Sequence, residues 1–461
     1  MISRANIANS TSMPCGNGEV GEDTRLTLVR AVWWPVWSGT LLGMDLVDEL
    51  AVRGLVHDTT DIDALRSRLV AGPIGVYVGF DPTADSLHVG HLLGQIGLRR
   101  FQLAGHRVFP LAGGATGMVG DPSGRSAERN LLSAEELGHN VTRISAQLER
   151  ILDFTSGTAQ LVNNADWTAD VALLEFLRDV GKHVSVSQML GRDSVRSRLS
   201  GDGLSFTEFS YMLLQANDFR HLHVAHGVEL QMGGSDQWGN ITAGIDLIRR
   251  TVGGSAHGVT WPLLTKADGT KFGKTADGAV WLDPERTSPY QFRQFWLQVD
   301  DADIRDRLLR FSLAPVAEIE ELLTTHEHAP HERVAQRALA HELTALVHGN
   351  EAAAAADAAA EVLFGGDPRD ADAATMDMLA GELACTEMST DGLSDLVEVL
   401  VTIGLASSRG DARRTIDGRG FRCNGVVLNA DTDLASQSLL AGGYLLLQKG
   451  RRSHHLVRIF S

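Results

Sequence analysis

Two histidines three residues apart stand where a predicted strand and turn lead into a predicted helix, in the run His88-Val89-Gly90-His91. Residues at positions i and i+3 share one face of a helix, and the N-terminus of a helix favours anions. Gly90 between the two imidazoles would let a ligand lie against the backbone. The arrangement suits a triphosphate whose charge must be stabilised during a displacement. Two surface histidines with a packing glycine would give the same tetrapeptide.

A second run that could act on phosphates is Lys271-Phe272-Gly273-Lys274-Thr275, which lies between two Asp-Gly pairs. Two lysines and a hydroxyl on a glycine-rich loop can close over pyrophosphate and supply positive charge in the transition state. A solvated basic turn is the simpler interpretation of this run when it is taken alone.

The third candidate is a glycine-rich segment over residues 113–125. It lacks the Gly-Lys-Ser/Thr of a Walker loop and the regular glycine spacing of a dinucleotide-binding fold. Asp121 and the basic pair Arg125 and Arg129 would nevertheless fit an amine site bordered by a phosphate-reaching loop. An ordinary surface loop is the alternative interpretation.

Two further segments place polar groups where a ligand could bind. Tyr211, Gln215 and Asp218 fall on one face of a predicted helix, which indicates a small polar ligand in a pocket. A predicted strand that ends in a glycine pair is followed by Asp236 and Gln237, and an aspartate there could hold ribose hydroxyls. A polar surface stripe and a plain helix-capping turn are the respective alternatives.

The elements that must position these groups are visible as strand and helix patterns. Residues 76–80 and 107–112 predict buried strands, and the helix between them is predicted from near Leu87 to about Leu103. This order, with glycines at the strand ends, predicts an α/β fold with a parallel, doubly wound sheet. A further strand is predicted at 228–232, and its carboxyl end is again where ligands bind in such sheets.

The pattern becomes helical after Trp281. We predict an α-helical domain over residues 286–385, with helices at 304–311, 316–323 and 331–347 followed by an alanine-rich stretch at 352–360.

A separate small unit is predicted over residues 393–461. It has helices at 393–403 and 408–417, and a hairpin at 421–428 in which Asn424-Gly425 supplies the two positive-φ positions of a type I′ turn.

Charge is distributed unevenly along the 461 residues. The net charge of −17 and the pI near 5.4 argue, for the whole chain, against a nucleic-acid partner. However, residues 351–400 hold 12 acidic and 1 basic residue, whereas residues 401–461 hold 9 basic and 4 acidic residues. A solvated basic face is one interpretation of this tail, and phosphate contact is the other. Its candidate RNA-binding residues are Arg409, Arg413, Arg414, Arg419, Arg422, Lys449, Arg451 and Arg452.

Composition excludes several classes of protein. Hydrophobic residues make up 43% and charged residues 21%, which is typical of a globular chain, here of two to four domains. No run approaches the roughly 18 apolar residues of a membrane helix, so no membrane partner is expected. Cys15, Cys385 and Cys423 are odd in number and far apart, which excludes a disulfide scaffold or four-ligand zinc site and favours a reducing cytosol.

The first 43 residues differ from the rest. They combine a polar stretch with the patch Trp33-Trp34-Pro35-Val36-Trp37, and they lack the ordered regions of a signal peptide. Met44 begins a better amphipathic segment, so we expect it to be the functional start and residues 1–43 to be an extension of unknown role.

Together, the motifs resemble those of the bacterial tyrosyl-tRNA synthetases in order and spacing, from about Asp45 to the C-terminus. The run at 88–91 looks like the HIGH motif of class I synthetases, and the run at 271–275 looks like their KMSKS loop. Segments 77–83, 120–124 and 234–240 resemble sequences specific to the tyrosine enzymes, and the tail resembles an S4 RNA-binding domain. The resemblance implies a Rossmann-like catalytic domain over 44–285, an α-helical anticodon-side domain over 286–385 and a small α+β S4-like domain over 393–461.

The resemblance also assigns roles in binding the amino acid. Tyr77 and Asp218 match residues that hydrogen-bond the hydroxyl of the substrate tyrosine. Asp121, Tyr211 and Gln215 match residues that hold its α-ammonium group. Gln237 would lie near its carboxylate.

Further matched positions would bind ATP and stabilise its phosphates. Thr83 and His88 would act on the γ-phosphate, and His91, Gly234 and Asp236 on the ribose. Gly79, Asp81 and Gly90 match residues that line the ATP site. Lys271, Lys274 and Thr275 match residues that grip pyrophosphate, with Arg125 and Arg129 on a second loop. Arg125 departs from the lysine of many relatives, which keeps the charge but not the geometry.

The implied reaction has two steps. ATP activates L-tyrosine to tyrosyl-adenylate with release of pyrophosphate, and the tyrosine is then transferred to the 3′ end of tRNA(Tyr). Mg²⁺ should arrive with ATP, no permanently bound cofactor or metal is expected, and the family's catalytic domains form homodimers in the cytoplasm.

Three other functions compete with this one. A tryptophan-charging relative is disfavoured by Tyr77 and Asp218, since an indole has no phenol to receive. A small nucleotidylyltransferase would lack the KMSKS-like loop and the S4-like tail. An inactive RNA-binding paralogue is disfavoured because His88, His91 and the two loop lysines are intact.

Overall fold

The centre of the first half of the chain is a five-stranded parallel sheet in the order β3-β2-β1-β4-β5. The strands are β1 Gly75–Phe80, β2 Arg107–Ala112, β3 Val162–Asn163, β4 Val228–Gly234 and β5 His257–Trp261. Their apolar side chains are buried, as expected for parallel strands covered by helices. The strand order reverses between β1 and β4, and their carboxyl ends therefore flank the crevice where such sheets bind ligands.

The computed structural model describes residues 45–123, 132–191, 195–196, 203–265, 269, 272–275, 278–450 and 452–460. Several predicted functional residues and the predicted extension lie outside these ranges: Arg125, Arg129, Lys271, Arg451 and residues 1–43.

Helices precede, connect and follow the strands of the sheet. They are α1 Leu46–Val52, α2 Ile62–Val70, α3 Val89–Leu103, α4 Ala134–Ile151, α5 Ala165–Thr168, α6 Leu173–Asp179, α7 Val186–Leu190, α8 Phe206–His226 and α9 Trp238–Val252. Helix α8 begins at the N-cap Ser205 and ends at Gly227, whose φ of 67° is the left-handed conformation that favours glycine. The predicted α/β class and the doubly wound parallel sheet are confirmed.

A short antiparallel ribbon, β6 Lys274–Thr275 and β7 Gly278–Ala279, leads from the sheet into a helical region. That region contains α10 Pro289–Leu297, α11 Asp301–Phe311, α12 Val316–His328, α13 Val334–His348, α14 Asn350–Leu363 and α15 Ala373–Glu382. The alanine-rich stretch forms its own helix, because Gly349 takes a φ of 92° and ends the preceding one. The domain boundaries at 286 and 385 stay a prediction.

Arg53, just after α1, is buried against the C-terminal end of α11. Its Nε donates to Glu49 at 2.8 Å, and its Nη atoms donate to the backbone carbonyls of Leu309, Ser312 and Ala314 at 3.0, 3.0 and 2.6 Å. Carbonyls at a helix C-terminus have no partner within the helix and carry partial negative charge. A buried guanidinium therefore satisfies them.

Arg100 of α3 reaches the same place. It donates to the carbonyls of Arg310 and Ser312 at 3.0 and 2.5 Å, and burial lowers its pKa to about 9. Nearby, the Glu342 carboxylate accepts the backbone N–H of Leu313 at 2.7 Å, and burial raises the pKa of this carboxyl. These buried charges attach the helical region to the helices that support the sheet.

The C-terminal part of the chain forms a second five-stranded sheet, in the order β10-β9-β11-β12-β8. Its strands are β8 Cys385–Ser389, β9 Phe421–Cys423, β10 Val426–Val427, β11 Tyr444–Lys449 and β12 Ser453–Phe460. Helices α16 Leu396–Thr402 and α17 Arg409–Asp417 pack on it. The predicted turn is present, with Asn424 at φ 48° and Gly425 at φ 82°.

Strand β8 lies upstream of the predicted start of the tail at residue 393, and it pairs parallel with β12. The sheet therefore includes a strand that the periodicity of the tail did not indicate. Among the helices in the described ranges, none is long and apolar enough to cross a membrane.

Candidate active site

A buried carboxylate on α8 forms the deepest part of the site. Asp218 is 3% exposed and accepts hydrogen bonds from Asn164 Nδ2 at 2.9 Å and Trp167 Nε1 at 2.8 Å. Burial raises the pKa of Asp218 to about 7, the two hydrogen bonds oppose that shift, and the charge of Asp81 adds to it. The carboxyl is therefore held between its charged and neutral forms near neutral pH.

Tyr77 of β1 places a second polar group beside Asp218. Its side chain is 1% exposed, and its hydroxyl has no hydrogen-bond partner among the described residues. Burial and the nearby charge of Asp218 raise the pKa of this phenol well above its ordinary value, so the hydroxyl stays protonated. A buried hydroxyl without a partner is costly unless a ligand supplies one. The pair can therefore recognise a ligand that carries its own hydroxyl.

Asp81, at the end of β1, links this pocket to the neighbouring strand ends. Its two carboxylate oxygens accept hydrogen bonds from Tyr211 Oη and Thr116 Oγ1, each at 2.8 Å. Asn164 Nδ2 donates to Thr116 Oγ1 at 3.0 Å as well as to Asp218. A side chain on Gly113 would collide with Asp81 and Thr116, which explains the glycine at the end of β2.

Three of the predicted amino-acid ligands meet around Asn240 of α9. Gln237 Nε2 donates to Asp121 Oδ2 at 2.7 Å, and Asn240 Nδ2 donates to the side-chain oxygens of Gln215 and Gln237, each at 3.1 Å. The structure thus collects one carboxylate and two amide oxygens from three separate segments. Of these, the Asp121 carboxylate and the Gln215 amide oxygen are acceptors that suit an ammonium group.

The two histidines of the HIGH-like run occupy the N-terminus of α3. His88 is the N-cap, its Nδ1 accepts the Gly90 N–H at 3.1 Å, and His91 Nδ1 accepts the His88 N–H at 3.2 Å. The rings stack with centroids 3.9 Å apart. Because each Nδ1 accepts, the proton of the neutral ring lies on Nε2, and that atom becomes a donor.

Gly90 also has a structural reason to be glycine. A Cβ at this position would lie 2.8 Å from His88 Cε1, so the glycine allows the His88 ring to fold back and cap the helix. The contact between a ligand and the Gly90 backbone stays a prediction.

The KMSKS-like loop lies against the same end of α3. Gly273 takes a φ of 84°, its carbonyl accepts the Val280 N–H at 3.2 Å, and a Cβ on it would lie 2.7 Å from Val89 Cγ2. Val89 in turn donates its N–H to the Val280 carbonyl at 3.0 Å. The backbone of Lys274 and Thr275 follows directly in β6, so this part of the loop is adjacent to the histidine pair.

The remaining predicted ATP residues lie at the strand ends. Gly79 is exposed on β1, and the Thr83 N–H donates to the Asp81 carbonyl at 2.9 Å in the turn that follows. At the end of β4, a Cβ on Gly234 would lie 2.6 Å from Asp236 Oδ1, so the glycine gives room to that carboxylate. In the described ranges, no three His, Cys, Asp or Glu side chains are grouped to hold a metal ion.

Sequence reasoning missed the side chains that support the binding groups, namely Thr116, Asn164, Trp167 and Asn240. Asn164 and Trp167 follow β3, which has only two residues and no periodicity. The available signal was the Asn-Asn-Ala-Asp-Trp run at 163–167, polar and aromatic residues directly after an apolar pair.

The basic candidates of the tail divide into two groups. Arg409 pairs with Asp395 and Glu398 at 2.8 and 3.2 Å, and Lys449 pairs with Asp411 at 3.1 Å. The others that the structure describes are exposed, and within the described ranges they have no acidic partner: Arg413, Arg414, Arg419, Arg422 and Arg452.

Comparison with known proteins gives consistent matches along the chain. A family model for class I tRNA synthetases (W and Y) matches residues 70–365, and one for the tyrosine–tRNA ligase SYY-like C-terminal domain matches residues 376–457. The chain is 53% identical to the tyrosine–tRNA ligase of Anaeromyxobacter dehalogenans over 90% of this chain and 99% of that protein. It is 52% identical to the enzyme of Opitutus terrae over 90% of this chain and 100% of that protein. A C-terminally truncated mitochondrial tyrosyl-tRNA synthetase of Aspergillus nidulans superposes with a TM-score of 0.64 at 34% identity, covering 70% of this chain and 95% of that one.

The buried carboxyl of Asp218 predicts a pH-dependent stability. Its pKa is raised from 3.8 to about 7, so the folded protein binds more protons than the unfolded chain between about pH 4 and pH 7. This group's contribution to stability is therefore present at low pH and is lost as the pH rises through that window. Asp218→Asn removes this titration. As the pH rises across the window, the wild type should therefore lose on the order of 1 to 4 kcal/mol of unfolding free energy relative to the variant.

Thermal unfolding midpoints of the ligand-free proteins, measured across this pH range, check the prediction. The change with pH is the readout, because the asparagine also alters two hydrogen bonds at every pH. The exposed Asp166→Asn on α5 is the matched control. Parallel curves for wild type and Asp218→Asn would contradict the prediction.

Proposed function

The chain belongs to the class I tRNA synthetases for tryptophan and tyrosine, and on that premise we propose that it is a tyrosine–tRNA ligase. It activates L-tyrosine with ATP to tyrosyl-adenylate and pyrophosphate, and it then transfers the tyrosine to tRNA(Tyr). Relatives with this printed activity are about half identical over nine-tenths of the chain. The observation that carries the proposal is the buried pair of Tyr77 and Asp218.

Selection of tyrosine over its closest competitors follows from that pair. A substrate phenol donates to the Asp218 carboxylate and accepts from the Tyr77 hydroxyl, so each buried polar group gains a partner. Phenylalanine would leave the buried Tyr77 hydroxyl without a partner, which costs about 1–3 kcal/mol. It would also add nothing to the two hydrogen bonds that Asp218 accepts from Asn164 and Trp167. Tryptophan has no hydroxyl to meet the pair. Asp121, Gln215 and Tyr211 then hold the α-ammonium group, and Gln237 lies near the carboxylate.

Adenylation needs no protein nucleophile. The carboxylate of tyrosine attacks the α-phosphorus of ATP, and the protein contributes orientation and charge stabilisation. The Nε2–H donor of His88, with Thr83, stabilises the γ-phosphate at the start of α3, and His91 acts on the ribose. Lys271, Lys274 and Thr275 grip the leaving pyrophosphate, with Arg125 and Arg129 on the second loop. Asp236 and Gly234 hold the ribose, Gly79, Asp81 and Gly90 complete the site, and Mg²⁺ enters with ATP.

The C-terminal S4-like unit binds tRNA in this proposal, and the helical region lies on the anticodon side. The exposed arginines without acidic partners carry the phosphate contacts, while Arg409 and Lys449 are held by their own ion pairs. The enzyme works in the cytoplasm, where tRNA is charged.

ATP–pyrophosphate exchange tests the amino-acid specificity. Tyrosine should support exchange and the other amino acids, phenylalanine above all, should not. Tyr77→Phe should lower kcat/KM for tyrosine about tenfold, because one hydrogen bond is worth roughly 1.4 kcal/mol here. Asp218→Ala should lower it further while the KM for ATP stays within about twofold.

Tyr444→Phe is the matched control, since it removes a buried hydroxyl that donates to Asp377 at 2.9 Å in the C-terminal region. Exchange with phenylalanine as good as with tyrosine, or equal losses for tyrosine and ATP in Asp218→Ala, would disprove the assignment.

The RNA-binding role predicts a separation of the two reaction steps. The double variant Arg413→Ala/Arg414→Ala should weaken tRNA charging about tenfold or more. The slope of the logarithm of the tRNA-binding constant against the logarithm of salt concentration should become shallower by roughly two. Pyrophosphate exchange, which needs no tRNA, should be unchanged. Arg249→Ala on α9, exposed and paired with Asp246, is the control. Normal charging by the double variant would count against the role.

We also propose that the chain is a homodimer. Helices α6 and α7 and the start of α8 pack on one apolar cluster, and their outer surface exposes Leu173, Leu174, Leu177, Val186, Leu190 and Phe206. Soluble monomers rarely expose apolar side chains in such density, and a second copy of the chain is the partner that the family provides.

Sedimentation measures this association. Wild type should sediment as a dimer, and Leu174→Asp, at a side chain that is 80% exposed, should shift it toward monomer by at least tenfold in the dissociation constant. Phe364→Asp, at the residue just after α14 and also about four-fifths exposed at 79%, is the control and should remain dimeric. A wild-type monomer would refute the proposal.

A further inference from the structure

Phe272 lies between the two lysines of the KMSKS-like loop, and its ring belongs to an aromatic cluster. Its ring packs among Phe295 and Trp296 of α10 and Phe311 of α11, with centroid distances of 5.1, 5.5 and 6.2 Å. These helices belong to the region after the catalytic sheet. The loop is therefore attached through Phe272 to a different part of the protein from the one whose site it serves.

One buried arginine of α11, Arg307, contacts both Phe272 in the loop and Thr265, which precedes the loop. The guanidinium carbon of Arg307 lies 4.3 Å from the centroid of the Phe272 ring, and an Nη atom donates to the backbone carbonyl of Thr265. Arg307 is 2% exposed, and Asp306 and Asp303 on its own helix neutralise it. The guanidinium lies over the ring while one of its Nη atoms donates to the carbonyl, a combination that a lysine could not reproduce.

On its other side, the loop is fixed to the histidine pair. Gly273 follows Phe272 directly, and its contact with Val89 leaves no room for a Cβ. Val89 is the residue between His88 and Gly90 at the start of α3. Phe272 and Gly273 are thus held between Arg307 on one side and the helix that bears the histidines on the other.

We propose that Arg307 is a positioning residue for the adenylation step. It holds Phe272 so that the backbone of Lys274, two residues further on, stays beside the start of α3, where His88 and His91 lie. The inference rests on the proposed function, because it concerns charges aimed at the phosphates of ATP. A misplacement of about 1 Å far from the reacting atoms can lower a rate about a hundredfold. The tyrosine pocket makes no use of Arg307, so binding of the amino acid is independent of it.

Steady-state pyrophosphate exchange, combined with equilibrium dialysis of tyrosine in the absence of ATP, tests the inference. Arg307→Gln should lower kcat for exchange between about tenfold and a hundredfold, while KM and Kd for tyrosine stay within about twofold. Arg305→Gln on the same helix, which breaks the exposed pair with Glu320, is the matched control and should behave as wild type. Arg307→Lys, which keeps the charge, should recover only part of the loss.

Phe272→Leu gives a second route that does not depend on the folding of an arginine variant, because it keeps an apolar side chain in the cluster and removes the ring face. It should also lower kcat and spare tyrosine binding. In the double variant Phe272→Leu/Arg307→Gln, the loss should be no larger than in the worse single variant, since both changes break the same contact.

Three results would overturn the inference. These are normal kcat in Arg307→Gln, an equal loss of tyrosine binding, and single losses that multiply in the double variant. If wild type itself gave no exchange with tyrosine, the proposed function would fail and this inference with it. An active wild type with a normal Arg307→Gln would overturn the inference alone.

Discussion

The buried carboxylate of Asp218, on α8, is the constraint around which the site is arranged. Removing a charge from water is costly unless hydrogen bonds replace the lost hydration, and Asp218 receives two of them, from Asn164 and Trp167. Asn164 also donates to Thr116, which donates in turn to Asp81. The groups that support one carboxylate thus extend to the ends of three strands. The position of each strand end is fixed by this network as well as by the sheet.

Strands β1, β2 and β4 and the helices α3 and α8 beside them were predictable because their signals are local. An apolar run marks β1 and β2 to within one residue, and the Asn-Gly pair identifies the C-terminal hairpin turn. Strands β3, β5, β8, β11 and β12 of the two five-stranded sheets were not predicted, and for β3 and β8 the reason is physical. β3 is only two residues long, and β8 is only partly buried. Neither strand therefore has the apolar pattern by which a strand is recognised in a sequence. Long-range pairing, not local preference, defines both.

For the site, the sequence identified the residues that face the substrates but not those that support them. Tyr77 and Asp218 stand in recognisable motifs, whereas Trp167 reaches the site through its hydrogen bond to Asp218. Buried arginines are harder still. Arg53 and Arg307 would be expected on the surface from their type, and their partners are backbone carbonyls more than 40 residues away, which leave no mark in the sequence. For Gly90, the sequence identified the position, and the structure adds that a Cβ there would collide with the His88 ring.

Strand β12 ends the described chain, yet it lies inside the second sheet, between β11 and β8. β8 is made much earlier and pairs with nothing else in that sheet. On the ribosome, therefore, β8 remains an unpaired segment until residues 453–460 have emerged. A nascent chain that stalls before residue 453 would hold both β8 and β11 with open edges, and open edges recruit strands from other chains. The unit to which tRNA binding is assigned can therefore complete its sheet only once β12 is available, however early β8 is made.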